Sequence, residues 1–165
     1  MYKIIIISSF LTLSLIKPVL LQADNLTYSF VGAQTSLISY ENTTAPSFGL
    51  KFGKQADMWR TTLSIDYSTD GSDSTTSLFL ESDRGILSEL FKDSKFQPYV
   101  GFSVGMLQHK NETTDSGSGY GLNTGLTYIF NNDIDLDFGI RVLNVKGIDA
   151  VGHMNNLTCS LHYFY

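Results

Sequence analysis

Charged side chains are scarce in this chain. Asp, Glu, Lys and Arg make up 16% of its 165 residues, whereas soluble domains usually carry about 25%. The 11 basic residues are outnumbered by 16 acidic ones, which gives a net charge of −5. An acidic chain has no electrostatic attraction for nucleic acid. The composition therefore argues against a highly charged, water-facing surface and against a nucleic-acid-binding protein.

Cysteine and helix-length apolar runs are also lacking. Cys159 is the single cysteine, so an internal disulfide is excluded. The apolar run 4–16 is shorter than the roughly 20 residues of a membrane-spanning helix, and Lys17 and Pro18 interrupt it. With Lys3 before the run and Ala23 at its far side, residues 1–23 are predicted to be a secretory signal peptide, an uncleaved membrane anchor being the alternative. Residues 24–165 then form one domain.

Aromatic residues and glycines are abundant, with 13% aromatic side chains and 14 glycines. Through residues 24–165, apolar side chains alternate with small or polar ones in eight segments. A period of two is typical of a β-strand with one apolar face. The apolar positions, segment by segment, are Leu26, Tyr28 and Phe30; Phe48, Leu50 and Phe52; Trp59, Leu63, Ile65 and Tyr67; Leu78 and Leu80; Val100, Phe102, Val104 and Met106; Tyr120, Leu122, Leu126, Tyr128 and Phe130; Ile134, Leu136, Phe138, Ile140 and Val142; and Leu157, Cys159, Leu161, Tyr163 and Tyr165.

The links between these segments alternate in length. Four longer polar links are predicted at 39–45, 69–74, 109–117 and 146–152, and short links at 54–57 and 131–133. The remaining link, 83–95, has apolar residues at helical spacing and is predicted to hold one helical or interfacial turn. Eight antiparallel strands joined in sequence close into an up-and-down barrel, which removes unpaired strand edges. We therefore expect an all-β, eight-stranded antiparallel barrel with its long links at one end.

The second face of the segments indicates which way the strands point. It consists mainly of Gly, Ser, Thr and Asn, which fit the crowded interior of an eight-stranded barrel. The apolar face is therefore expected to point outward to lipid, because in hydrocarbon only a helix or a closed barrel satisfies its backbone. Several rings lie near segment ends, where they could form the two aromatic girdles of a transmembrane barrel. These rings are Trp59, Tyr67, Tyr120, Tyr128, Phe130, Tyr163 and Tyr165.

On these features the sequence resembles the small outer-membrane β-barrels of Gram-negative bacteria, the OmpA/OmpX-like group. The resemblance covers nearly all of 24–165, including the stretch 98–105 and the final residues Leu161, Tyr163 and Tyr165. It implies a transmembrane barrel in the outer membrane, surrounded by lipid and lipopolysaccharide, with both ends of the mature chain on the periplasmic side. It also implies that Leu161, Tyr163 and Tyr165 carry the signal read by the barrel-assembly machinery. We expect a monomer without a cofactor.

Charged residues on the small-residue face are expected to point into the lumen. They are Lys51, Arg60, Asp66, Glu81, Asp135, Asp137 and Arg141. Because buried charges are costly unless they are paired, a salt-bridge network is expected in preference to an ion pathway. An eight-stranded interior is filled by side chains, which argues against a wide pore, and a narrow channel remains an alternative.

An enzyme is the alternative from another class, because some outer-membrane barrels modify lipid A. That chemistry needs a Ser activated by His and a carboxylate. His109 and His153 are predicted to be solvent-exposed at the rim and His162 to lie inside, and the deacylase-like His-x-Ser-Asn segment is absent from the sequence. Asp135 and Asp137 suit pairing with Arg141 better than a metal site. We therefore expect no catalytic or metal residues, and a structural or surface-interaction role carried by the four polar links.

Overall fold

The computed structural model of the protein describes residues 27–40, 43–71, 73–86, 90–91, 94–148 and 151–165. The predicted signal peptide, 1–23, lies outside these residues. Among the described residues, no helix combines the length and the apolar character needed to cross a membrane.

The described part of the chain forms eight strands in one closed barrel. The strands are β1 (Thr27–Tyr40), β2 (Thr43–Ala56), β3 (Trp59–Asp70), β4 (Asp73–Gly85), β5 (Phe96–Lys110), β6 (Thr114–Ile129), β7 (Ile134–Lys146) and β8 (His153–Phe164). Each strand pairs antiparallel with the next, and β8 pairs with β1 to close the barrel. The predicted fold class is confirmed.

The two ends of the barrel differ. The terminal end, as we call it, holds the start of β1, the end of β8 and the links 57–58, 86–95 and 130–133. The distal end holds the links 41–42, 71–72, 111–113 and 147–152. This separation places the shorter links of the prediction on the same side as both chain ends, as expected for eight strands joined in sequence.

Alternation along the strands divides the side chains between two faces. On β3, for example, Leu63 and Ile65 are exposed on the outside, and Ser64 and Asp66 are buried inside. The outward apolar faces predicted for β2 through β8 are confirmed, because these positions are exposed or half-buried throughout. The barrel therefore carries an apolar surface outside and mostly polar side chains inside, the reverse of a soluble carrier.

The outward apolar surface has the height of a membrane. On β3 it extends from Trp59 to Tyr67, which at about 3.3 Å per residue is roughly 26 Å along the strand. A strand tilt of about 40° reduces this to roughly 20 Å, close to the apolar band of about 25 Å in transmembrane barrels. Exposed rings border it, with Trp59, Phe130 and Tyr163 at the terminal end and Tyr67 and Tyr120 at the distal end.

The predicted face of β1 is wrong. Phe30, expected outside, is 1% exposed and lies in the barrel interior, whereas Val31 and Leu37 point outward. The parity of β1 is fixed along its whole length by pairing with β2 and β8. The prediction used three residues at one end of the strand, too few to determine the face.

The predicted links 39–45, 69–74 and 109–117 are too long. Ser39 pairs with Thr44, Asp70 with Asp73, and Lys110 with Thr114, so hydrogen-bonded strands continue to the tips of these hairpins. The Ser39 and Thr44 hydroxyls lie 3.0 Å apart across the pair. Polar composition was interpreted as loop, although Thr and Ser pair well in strands that extend beyond an apolar band.

The link between β7 and β8 and the link between β4 and β5 also differ from expectation. The β7–β8 link was predicted as a polar surface loop over 146–152, but Ile148 and Val151 are buried among the strands. The β4–β5 link begins after Gly85 instead of at residue 83. Its predicted helical turn falls largely on 87–89 and 92–93, outside the described residues.

Candidate functional site

The interior of the barrel is the candidate site, and all seven predicted lumen charges lie in it. Lys51, Asp66, Glu81, Asp135, Asp137 and Arg141 are buried, and Arg60 is half-buried. They form two separate networks, one at mid-barrel and one at the terminal end. Strand alternation alone could place them inside, whereas the partners depend on the register between strands.

The mid-barrel network is centred on Glu81 of β4. Its carboxylate contacts the Lys51 ammonium, with Nζ 3.6 Å from Oε2, and accepts a hydrogen bond from the Arg141 guanidinium. Nearby, the Gln34 amide donates to Asp66. Two cations thus share one carboxylate in a region closed to solvent, where each charge depends on its partner.

The terminal network is centred on Arg60 of β3. Its Nη2 lies 2.6 Å from Oδ2 of Asp135, and its Nη1 lies 3.9 Å from Oδ2 of Asp137. The guanidinium also donates to Gln55 Oε1 from Nε at 3.0 Å and from Nη2 at 2.8 Å. Its charge is therefore matched by carboxylates and satisfied by fixed hydrogen bonds.

Further side chains complete the terminal network around the two aspartates. His162 Nδ1 lies 2.7 Å from Asp135 Oδ1. The Tyr99 and Thr127 hydroxyls each donate to Asp137 at 3.0 Å. Asp135 and Asp137 are thus engaged by cations and hydroxyls, an arrangement that differs from a ring of free oxygen ligands.

The distal part of the interior contains an apolar cluster that the sequence did not predict. Its buried cluster, here called the distal plug, consists of Ile38, Tyr40, Phe79, Leu107, Leu143, Val145, Ile148, Val151 and Met154. Leu143 and Val145 share the parity of Asp137 and Arg141 on β7. Extending that alternation to the strand end would have placed them inside.

A cavity of about 260 Å³ lies at the terminal end of the interior. Arg60, Asp83, Tyr99 and Thr127 contribute polar groups to its lining, and apolar side chains come from the turn after β2 and from the β4–β5 link. Asp83 was not among the predicted lumen charges, although it shares the parity of Glu81 on β4. The cavity itself could not be predicted, because it forms where five strands and two links converge.

The histidines are placed differently from one another. His153 is exposed at the distal rim, as predicted. The prediction that His109 is solvent-exposed is wrong, because it is 2% exposed, lies 2.9 Å from the Thr75 hydroxyl and packs edge-on against Tyr40. Its inward parity on β5 and the bulk of the distal plug explain this burial.

His162 is the histidine paired with a carboxylate, Asp135. Its other ring nitrogen, Nε2, is buried without a hydrogen-bond partner among the described residues. A serine triad needs a hydroxyl at that nitrogen. The described interior therefore contains the His–Asp pair of such a triad, but no hydroxyl is hydrogen-bonded to His162 Nε2 among the described residues.

The last strand brings the three assembly-signal candidates to one surface. Leu161, Tyr163 and Tyr165 are all exposed on the outside of the barrel. The backbone NH of Tyr165 donates to Ser29 O at 2.9 Å, and that of Phe164 donates to Asp133 O at 2.7 Å. The chain end is therefore held by backbone bonds on both sides.

Solved structures with the same fold include bacterial surface and outer-membrane proteins. The chain is similar to Neisserial surface protein A, with a TM-score of 0.68 and 16% identity over 84% of this chain and 97% of that one. It is also similar to the N-terminal β-barrel domain of Pseudomonas aeruginosa OprF, with a TM-score of 0.54 and 16% identity over 84% and 100% of the two chains. For the outer membrane protein OprG of the same organism the TM-score is 0.53 and the identity 14%, over 84% and 95%.

These likenesses confirm the fold implied by the resemblance to the OmpA/OmpX-like group. No protein-family model and no curated protein matches the chain. At identities of 16% or less, the comparison extends to the architecture and not to ligands or partners.

Proposed function

We propose that the chain is an integral outer-membrane protein with a structural or surface-interaction role, exported through residues 1–23. The observation that carries this proposal is the closed barrel, whose outer surface is apolar over a height close to that of a transmembrane barrel and whose buried charges are mostly paired. Lipid is the solvent in which such an outer surface is stable, and closure leaves no strand edge unpaired inside it. The barrel needs no second copy to complete its sheet, which favours a monomer.

The distal end is the proposed outer side, facing lipopolysaccharide. Beyond Met106, which pairs with Ser118, the outward positions of the β5–β6 hairpin are polar, including Gln108, Lys110 and Ser116. From Tyr120 to Thr114 the strand is roughly 20 Å long, which the same tilt reduces to roughly 15 Å of height. This hairpin would project past the lipid head groups and would be the main surface offered to a partner.

The last strand is proposed to carry the signal for the barrel-assembly machinery. Leu161, Tyr163 and Tyr165 form an outward apolar row that ends at the terminal rim. That rim would face the periplasm, where a newly exported chain meets the machinery. The resemblance to the small outer-membrane barrels supports this role.

A surface-labelling experiment tests the location and the orientation together. A short epitope tag inserted in the 111–113 link should be bound by antibody on intact cells expressing the protein. The same tag in the 131–133 link is the matched control and should be bound only after the outer membrane is permeabilised. Both tagged proteins should stay in the membrane pellet after carbonate extraction.

Two results would contradict the proposal. Release of the protein by carbonate, without detergent, would contradict membrane integration. Labelling of the 131–133 tag alone on intact cells would reverse the orientation.

A further inference from the structure

We propose that the cavity at the terminal end binds a small organic cation with a short apolar body, whose ammonium group pairs with Asp83. This goes beyond the structural role proposed above, because it assigns a ligand site to the barrel interior. The argument rests on charge, on the cavity lining and on access.

The charges of the interior leave Asp83 without a cation. Arg60 is engaged by Asp135 and Asp137, and Glu81 holds the other two lumen cations. Among the described residues, Asp66 and Asp83 are the lumen carboxylates without an ion pair. Of these two, Asp83 lines the cavity and Asp66 does not.

Asp83 is positioned by a single amide. Asn123 Nδ2 donates to its Oδ1 at 2.8 Å, and Asn123 in turn accepts from the Ser103 hydroxyl at 2.6 Å. Asp83 is 7% exposed, so its carboxylate is largely removed from water without a counter-charge. A carboxylate in this position gains from a cation more than an exposed one would, because little water competes for it.

The cavity also has an apolar wall that fits a hydrocarbon body. Met58 comes from the turn between β2 and β3, Ile86 and Phe91 from the β4–β5 link, and Pro98 from β5. The volume of about 260 Å³ lies just below the range of about 300–1,000 Å³ found for drug-sized ligands. It suits a ligand of one ring or a short chain.

Access is from the terminal end. Asp57 and Gln97, which line the cavity, are exposed to solvent, whereas the distal plug closes the other end of the interior. The polar group that recognises an anion is already occupied, because Arg60 donates to Gln55 and Asp135. The lining therefore favours a cation over an anion of the same shape.

Benzylammonium is a suitable probe, with benzyl alcohol and benzoate as neutral and anionic analogues. Titration of the folded chain in nanodiscs, followed by calorimetry or ligand NMR, should show saturable binding of benzylammonium that weakens at high salt. Benzyl alcohol should bind at least about tenfold more weakly, since it lacks the charge.

Two matched variants locate the site. Asp83→Asn should weaken benzylammonium binding by about tenfold or more. Asp66→Asn makes the same change at a buried carboxylate that also accepts from an amide, and it should leave the affinity within about twofold. Phe91→Ala, in a link outside the strands, should weaken binding without affecting the fold, which covers the case in which Asp83→Asn does not fold.

Three results would overturn the proposal: no saturable binding of benzylammonium at millimolar concentrations, equal or tighter binding of benzoate, or unchanged binding by both Asp83→Asn and Phe91→Ala. None of these binding results would contradict the proposed membrane location, because the epitope-tagged proteins test that location without any ligand.

Discussion

Glu81 is the side chain on which the middle of the barrel interior depends most. It is the shared partner of Lys51 and Arg141, and all three are buried. Ion pairs at a protein surface contribute little, but removing one partner of a buried pair leaves an uncompensated charge. The consequence should therefore be large at this position and small at exposed acidic residues.

Replacing Glu81 by Gln should lower the free energy of unfolding by about 3–5 kcal/mol. The change keeps the shape of the side chain and removes the charge that both cations share. Urea unfolding of the folded chain in lipid vesicles, followed by Trp59 fluorescence, measures the effect.

Glu112→Gln is the control for this prediction. Glu112 lies in the exposed 111–113 link, so the same substitution there should change the free energy of unfolding by about 0.5 kcal/mol or less. Equal stabilities of the two variants would contradict the assigned role of Glu81.

At the scale of strands, predictability from the sequence follows the length of the alternating pattern. On β3 and β7 the apolar and polar residues alternate over most of the strand, and both faces were predicted correctly. On β1 the first residues predicted that Phe30 lies outside the barrel. The register with β8 places Phe30 inside instead. A long run of alternating residues identifies the outward face of a strand. Where the run is short, pairing with the neighbouring strands determines that face.

The candidate site was predictable in its residues but not in its geometry. Parity placed Arg60 and Asp135 inside, yet their contact joins β3 to β7 across the lumen. Such contacts depend on how far the strands are staggered around the barrel, which no single segment encodes. The burial of Ile148 and Val151 likewise depends on a space that exists only after the strands have closed.

The final strand carries a prediction that separates assembly from stability. Tyr165→Ala should reduce the amount of folded protein in the outer membrane of cells, because it removes the last ring of the proposed signal. Tyr165 is 72% exposed, and the substitution leaves its backbone bond to Ser29 in place. Refolding of the purified variant into detergent micelles should therefore match that of the unmodified chain.

Tyr28→Ala is the control for the assembly prediction. Tyr28 is also an exposed ring at the terminal end, but it belongs to β1. Its replacement should leave the cellular amount unchanged. Comparable losses for both variants, or a matching loss in refolding, would indicate that the rings act only through stability.

At the scale of the whole molecule, two adjacent layers close the barrel, and they meet where the Arg141 guanidinium lies over the Phe79 ring. The distal plug fills one end of the interior with apolar side chains, and the Lys51–Glu81–Arg141 network fills the middle. The cavity at the terminal end therefore ends blindly inside the protein. An ion crossing the barrel would have to displace packed hydrocarbon and separate buried charge pairs, each of which is costly.

The protein reconstituted in a planar bilayer should accordingly show no stable single-channel current, with a porin added under the same conditions as the positive control. The double variant Ile148→Ala and Val151→Ala, which thins the plug at the β7–β8 link, should also remain silent because the mid-barrel network still blocks the path. Regular current steps from the unmodified chain would contradict a closed barrel and favour a narrow channel. Current steps from the double variant alone would show that the distal plug is the only barrier, and that the mid-barrel charges do not stop a passing ion.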